Sequence, residues 1–134
     1  MPRFLIVDDH AVVRKGLMKI LSDAHGGFQA DEASHGQEAL ALVLRERYDL
    51  VLLDITMPGR SGLDVLKEIK SHKPGLPVLM LSMHTEKEYA LRALGAGASG
   101  YVTKDSAAEE LPGAIREVLG GGRYVSTSFV ENSG

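Results

Sequence analysis

Short apolar runs and segments of helical period alternate along the chain. Phe4-Leu5-Ile6-Val7, Leu50-Val51-Leu52-Leu53 and Val78-Leu79-Met80-Leu81 lack polar alternation, the pattern of strands buried on both faces in a parallel sheet covered by helices. Phe28 to Ala33 and Ser99 to Thr103 are weaker strand candidates. Between the runs, Val13, Leu17, Ile20 and Leu21 fall on one helical face, as do Ala39, Leu40, Val43 and Leu44. Capping pairs mark the helix starts: Ser34 with Gln37, Ser61 with Asp64, Thr85 with Glu88, and Ser106 with Glu109. Each pair is a common pattern; their recurrence at one phase of a repeat gives them weight. Pro74-Gly75 and Gly95 punctuate helix ends. Pro112-Gly113 interrupts the last helical segment and predicts a kink or a delayed start, because Pro removes a backbone bond and Gly weakens propensity. The β-α unit recurs five times, which right-handed crossovers fold into an α/β, doubly wound parallel sheet with helices on both sides.

Composition narrows the class. A chain of 134 residues fits one core. We assign residues 1–122 to the domain and read 123–134, within a Gly/Ser-rich stretch loose after Val125, as a tail or the start of a linker. A net charge of −3 argues against nucleic-acid binding by this chain itself. No apolar run approaches bilayer length, and Met1-Pro2-Arg3 leads straight into a strand-like run with no hydrophobic signal segment. Cysteine is absent, which removes disulfide and thiolate chemistry and fits a reducing cytoplasm. The expected location is cytoplasmic.

Polar residues then locate the chemistry. Ligands of open α/β sheets bind outside the carboxyl ends of the strands. Those ends hold Asp8 and Asp9 after the first strand, Asp54 after the third, Ser82 at the fourth and Lys104 after the fifth. Crowded carboxylates stay ionised together only where a cation compensates them. Hard oxygen donors favour Mg²⁺. Lys104 adds a compact charge suited to a phosphoryl oxygen or to Asp54. Metal, ammonium and hydroxyl together make a site for a transferring phosphoryl group, with the central Asp54 as nucleophile.

The motifs LIVDDH with VVRKGL, DLVLLDITMPGRSGLDVL, VLMLSMH and ALGAGASGYVTKD identify the chain as resembling receiver domains of two-component response regulators over residues 3 to 121, most of all the NarL/FixJ-type subfamily. The resemblance implies a flavodoxin-like sheet of strand order 2-1-3-4-5 and phosphorylation of Asp54 from the phosphohistidine of a sensor kinase. It implies Mg²⁺, with Mn²⁺ as an alternative, bound directly by Asp9, Asp54 and the backbone carbonyl of Thr56, and by Asp8 through water. Ser82 and Tyr101 become the switch pair, with Tyr101 rotating from exposed to buried, and Lys104 the phosphoryl clamp. The active form is expected to be partly populated before phosphorylation. Asp105 stands where many receivers carry Pro. Thr56 and His84 would tune the lifetime of the phosphoryl group, and Met83 would limit access of small donors. Relatives of this subtype usually continue into a LuxR-type DNA-binding domain, so DNA contact would come only through an output domain outside this chain. Phosphorylation-dependent homodimerisation and contact with a sensor kinase, without membrane association, complete the expected partners.

Plainer and rival readings exist for the same residues. Asp8-Asp9 could begin a helix, Asp9 as N-cap and both favouring the helix dipole. His10, His25, His35, His72 and His84 lack metal-ligand spacing and most read as surface residues; His10, which adjoins the acidic pair and would modulate the pocket, is the exception. Gly95, Gly97 and Gly100 precede a strand, the wrong context for a dinucleotide fingerprint, and read as a tight turn; Pro58-Gly59 reads as a loop turn beside Asp54. A haloacid-dehalogenase-type phosphatase would need a second acid where Thr56 stands, and clustered carboxylates would repel the phosphate of a flavin or nucleotide. The expected role is therefore a signalling switch whose only chemistry is on itself.

Overall fold

The computed structural model describes residues 1–24, 27–57, 59–84 and 87–126. Its strands are β1 (Arg3–Val7), β2 (Gln29–Ala33), β3 (Leu50–Asp54), β4 (Val78–Ser82), β5 (Gly100–Thr103) and β6 (Tyr124–Val125). The helices are α1 (Ala11–Ala24), α2 (Gly36–Arg45), α3 (Gly62–His72), α4 (Lys87–Gly95) and α5 (Ala107–Leu119), the last preceded by a 3-10 turn over Lys104–Ser106. All strand pairs are parallel, in the order β2-β1-β3-β4-β5-β6.

Alternate residues of the apolar runs feed two cores. Leu5, Val7, Val51, Leu53, Val78, Met80 and Tyr101 pack with Ala39, Val43, Val65, Leu66, Ile69, Ala90 and Ala93, on the side of α2, α3 and α4. Phe4, Ile6, Leu50, Leu52, Leu79, Leu81 and Val102 pack with Leu17, Leu21, Leu111, Ala114, Ile115 and Val118, on the side of α1 and α5. Strand side chains alternate faces, so a strand covered on both sides must be apolar at every position.

Several local expectations need correction. Leu44 is exposed, because α2 buries Ala39, Leu40 and Val43 and turns the next residue outward. The cap of α2 is His35, whose Nδ1 accepts from the amide of Glu38, in place of Ser34; the Ser34 amide instead donates to Glu38 Oε1 at 2.7 Å. Ser61 caps α3 as expected, accepting from Asp64 N at 3.2 Å. Ser106 makes no such bond to α5; its hydroxyl is taken by Thr103 Oγ1. Thr85, Pro58 and His25 lie outside the described residues. Helix α1 begins at Ala11, so Asp9 is not its N-cap. Helix α5 runs without a delayed start through Pro112; the carbonyl deprived of its bond belongs to Ala108, on the exposed side, where water can satisfy it. Tyr124 and Val125, which the sequence places in the tail, join the sheet through the register Gly100↔Tyr124 and Tyr101↔Val125.

Candidate functional site

The carboxyl ends of β1, β3, β4 and β5 bring the sequence-separated polar residues together. Parallel register sets Val7 beside Leu53, Asp54 beside Leu81, and Ser82 beside Thr103. The chain therefore leaves each strand at one edge, carrying Asp8, Asp54, Ser82 and Lys104 with it. A glycine that sequence reasoning misses makes this possible at β3. A Cβ at Gly62, the first residue of α3, would collide with the backbone of Asp54 and Ile55, so only Gly lets that helix begin so close to Asp54. Its signal in the sequence is the S-G pair opening a helix.

Lys104 joins the acids. Its Nζ lies 3.0 Å from Asp8 Oδ2 and 3.3 Å from Asp54 Oδ1. Asp8 and Asp54 are almost wholly buried. Asp8 has both oxygens engaged, since His10 N donates to its Oδ1 at 2.9 Å. Asp54 Oδ1 also accepts from Thr56 N at 3.3 Å, and Oδ2 stands outside those contacts. Burial pushes the Asp54 carboxyl above its ordinary value; Lys104 opposes this and the charge of Asp8 adds to it. Burial pulls Lys104 down, but its bond to Asp8 and the charges of Asp54 and Asp8 prevail and raise it.

Asp9 differs from its neighbours. Its Oδ1 is shielded from solvent and accepts no hydrogen bond, although His10 Nδ1 stands 3.0 Å away outside hydrogen-bond geometry. A shielded carboxylate oxygen without a donor is costly unless a cation meets it. Asp8, Asp9 and His10 present ligand atoms within 4.8 Å of one another; Asp54 falls outside that trio and reaches it through Lys104. An oxygen-rich, partly uncompensated cluster fits a hard divalent ion.

Ser82 is buried and its Oγ accepts from His84 N at 2.9 Å, which leaves the hydroxyl proton to donate. Tyr101 is fully buried, its hydroxyl donating to His84 O at 3.1 Å; the structure holds it inside, where the sequence reading starts it exposed. Thr56 Oγ1 meets His84 Nε2 at 3.3 Å, and the His84 ring stacks on Tyr89 at 4.2 Å. These residues border an open recess of about 400 Å³ lined also by Met57 and Leu63. Met83, between Ser82 and His84, is exposed.

A family model described as "Response regulator receiver domain" matches residues 4–116. The chain belongs to that family. The response regulator UvrY of Escherichia coli strain K12 is 37% identical over 127 residues, 95% of this chain and 58% of that protein. The response regulator GacA of Pseudomonas aeruginosa is 35% identical over 131 residues, 98% of this chain and 61% of that protein. A crystal structure of a LuxR-family two-component response regulator from Aurantimonas sp. SI85-9A1 superposes with a TM-score of 0.92 at 35% identity, covering 98% of this chain and 94% of that one. These relatives support the NarL/FixJ assignment, and the receiver sheet order is the one observed. Response regulators are signalling proteins, and this chain carries their receiver domain. The chain spans about three fifths of the length of the curated relatives it matches. Among the described residues, no helix is long and apolar enough to cross a membrane.

Proposed function

We propose that Asp54 of this receiver takes the phosphoryl group from a sensor kinase's phosphohistidine, and that the change at Ser82, Tyr101 and Lys104 carries the signal. The supporting observation is the placement of Lys104 Nζ between two buried carboxylates, Asp8 and Asp54. An Asp54 oxygen attacks phosphorus in line with the leaving nitrogen. The P–N bond breaks with its electron pair going to the imidazole, and an acyl phosphate forms. Lys104 stays charged throughout and neutralises a phosphoryl oxygen. Ser82 donates its hydroxyl proton to another. Hydrolysis returns the carboxylate when water attacks phosphorus and the P–O bond to Asp54 breaks.

Asp9, Asp54 and the Thr56 carbonyl, with Asp8 through water, would hold Mg²⁺ or Mn²⁺, which supplies further charge neutralisation on the phosphoryl oxygens. The unbonded Oδ1 of Asp9 and the fully engaged oxygens of Asp8 support that division between direct and water-mediated contact. The Thr56–His84 contact supports a role for both in placing attacking water and setting phosphoryl lifetime, with the exposed Met83 restricting small donors.

With Tyr101 held inward by His84 O, we take Ser82 and Tyr101 to form a two-state switch whose active arrangement is partly populated before phosphorylation. Driving such an equilibrium from 1:99 to 99:1 would need about 5.5 kcal/mol, and pre-population lowers that demand. We further propose that the output is transcription through a LuxR-type DNA-binding domain outside this chain, that the protein works in the cytoplasm, and that phosphorylation favours a homodimer. Intact-mass analysis after incubation with acetyl phosphate and Mg²⁺ tests the nucleophile: one phosphoryl adduct on the wild type and none on Asp54→Asn. An adduct that persists in the variant overturns the assignment.

A further inference from the structure

Strand β6 comprises only Tyr124–Val125, yet it is held by more than its own ladder. Tyr124 N donates to Ser99 O and Ser126 N to Tyr101 O, each at 3.0 Å. In return, Thr103 N donates at 3.1 Å to Ser126 Oγ, and Ser126 is wholly buried. A serine hydroxyl thus supplies the acceptor for the last amide of β5, which would otherwise face an open strand edge. Tyr124 is anchored independently: its hydroxyl donates to Glu110 Oε1 of α5 at 2.7 Å, and burial together with Glu110 pushes its phenol up to about 12. Val125 packs with the cluster that contains Tyr101, and Tyr124 with the opposite one.

Position 100 is shaped for this contact. A Cβ there would lie 2.5 Å from Tyr124 O and 2.5 Å from Leu79 Cδ1, so a bare backbone at Gly100 is what admits the strand.

The two partners of Ser126 lie in or beside the switch. Tyr101 accepts its amide, and Thr103, which its hydroxyl caps, immediately precedes Lys104. Lys104 in turn reaches Asp54. A ligand that fixes Lys104 and a strand that fixes Thr103 therefore order the same short segment from opposite sides. Whichever acts first lowers the ordering cost for the other.

We propose that residues 124–126 are a docking strap whose attachment to β5 is coupled to the Asp54–Lys104 site, tightening when a phosphoryl group is bound there with Tyr101 inside, and so passing the state of the site to the chain beyond residue 126. This rests on the phosphoacceptor reading above. The docked strap and the buried Tyr101 occur together in the structure, and we take that pairing as the one a bound phosphoryl group favours. Linkage then requires reciprocity: loosening the strap must weaken the phosphoryl mimic by the factor by which the mimic tightens the strap.

The test uses the full 134-residue chain, beryllofluoride with Mg²⁺ as the probe, calorimetry for affinity and amide hydrogen exchange at Thr103 and Ser126. Beryllofluoride is expected to slow both amides by roughly fivefold, the low end of allosteric couplings. Ser126→Ala should weaken beryllofluoride by a similar factor, and Ser126→Thr, which keeps the acceptor, should restore it. A folded Ser126→Ala with wild-type affinity, or amides indifferent to beryllofluoride, overturns the strap. Should Ser126→Ala fail to fold, Tyr124→Phe removes only the anchor to Glu110 and must move affinity in the same direction; no movement likewise overturns it. A wild type that takes up no beryllofluoride brings down the phosphoacceptor reading and the strap together. Uptake without coupling removes the strap alone.

Discussion

Two clusters in this receiver share one inventory, a pair of carboxylates around a single cation, and behave in opposite ways. At the start of β1, Arg3 bridges Asp31 at 2.8 Å and Glu46 at 2.9 Å, and Tyr48 donates to Asp31 at 2.6 Å. At the carboxyl ends of β1 and β3, Lys104 bridges Asp8 and Asp54. The Asp31 carboxyl is held below its ordinary value, first by Tyr48, with burial opposing and Arg3 assisting. Asp54 is held above it, first by burial. The difference is water. Side chains of the Arg3 cluster remain about a third exposed, against 1% for Asp8 and 4% for Asp54. Asp31 adds a phenol donor where Asp54 adds only a long amide bond. One cluster is satisfied; the other is held in a state that a divalent ion or phosphoryl chemistry can relieve, which is where function is expected.

Removing the cation should separate the clusters most widely. Lys104→Met leaves two buried carboxylates without their counter-ion and should destabilise the metal-free chain by about 3 kcal/mol, the lower end for breaking a buried pair. Added Mg²⁺ should recover part of that loss, because an ion that binds only the folded state stabilises it. Arg3→Met, at the solvated cluster, should leave the urea midpoint near wild type and insensitive to Mg²⁺. Equal losses in the two variants would erase the distinction between the clusters.

A smaller effect of the opposite sign is expected at Asp54. A carboxyl whose folded value is raised binds protons more tightly when folded, so ionising it costs stability as pH rises past its unfolded value. Asp54→Asn in chelator should therefore be more stable than wild type at pH 7, by about 1 kcal/mol on the usual scale of single substitutions. The gain should shrink as the solution is acidified below the ordinary carboxylate range, where the wild-type group is protonated in both states. A variant no more stable at pH 7 would mean that Lys104 already compensates the burial in full.

Much of this contrast is legible in the chain, and the remainder is not for identifiable reasons. The unbroken apolar runs specify central strands, and strand ends specify where Asp8, Asp54, Ser82 and Lys104 meet. Leu44 and Ser34 fall outside the face and the cap expected of them because each is fixed within one residue, finer than a helical period resolves. Gly62 owes its role to the backbone of Asp54 and Ile55, which the S-G pair marks only as a helix start, and Gly100 owes its role to Tyr124, distant in sequence, which no local pattern reports. Strand β6 is shorter than any periodicity can register; its only sequence trace is Tyr-Val between a Gly-rich turn and Ser126. The side of the sheet on which Tyr101 packs follows from alternation, but whether it points inward depends on His84 offering a carbonyl.

The smallest effect concerns why the Arg3 cluster is quiet. Tyr48 is the largest cause of the lowered Asp31 carboxyl, and its own phenol is driven up by burial and by Asp31. Tyr48→Phe keeps the ring near Arg3, whose Cζ lies 5.2 Å from its centroid, and removes only the hydroxyl. The expected loss is about 1 kcal/mol or less, the net worth of one partly solvated hydrogen bond. Its pH dependence carries the sign. A depressed carboxyl contributes stability that is complete above its unfolded value and lost as pH falls through its folded one. The gap between wild type and Tyr48→Phe, read from urea midpoints, should be constant near neutrality and close in acid, the reverse of the profile expected at Asp54. If the gap instead widens in acid, the phenol is not what lowers Asp31, and the satisfied cluster owes its calm to Arg3 alone.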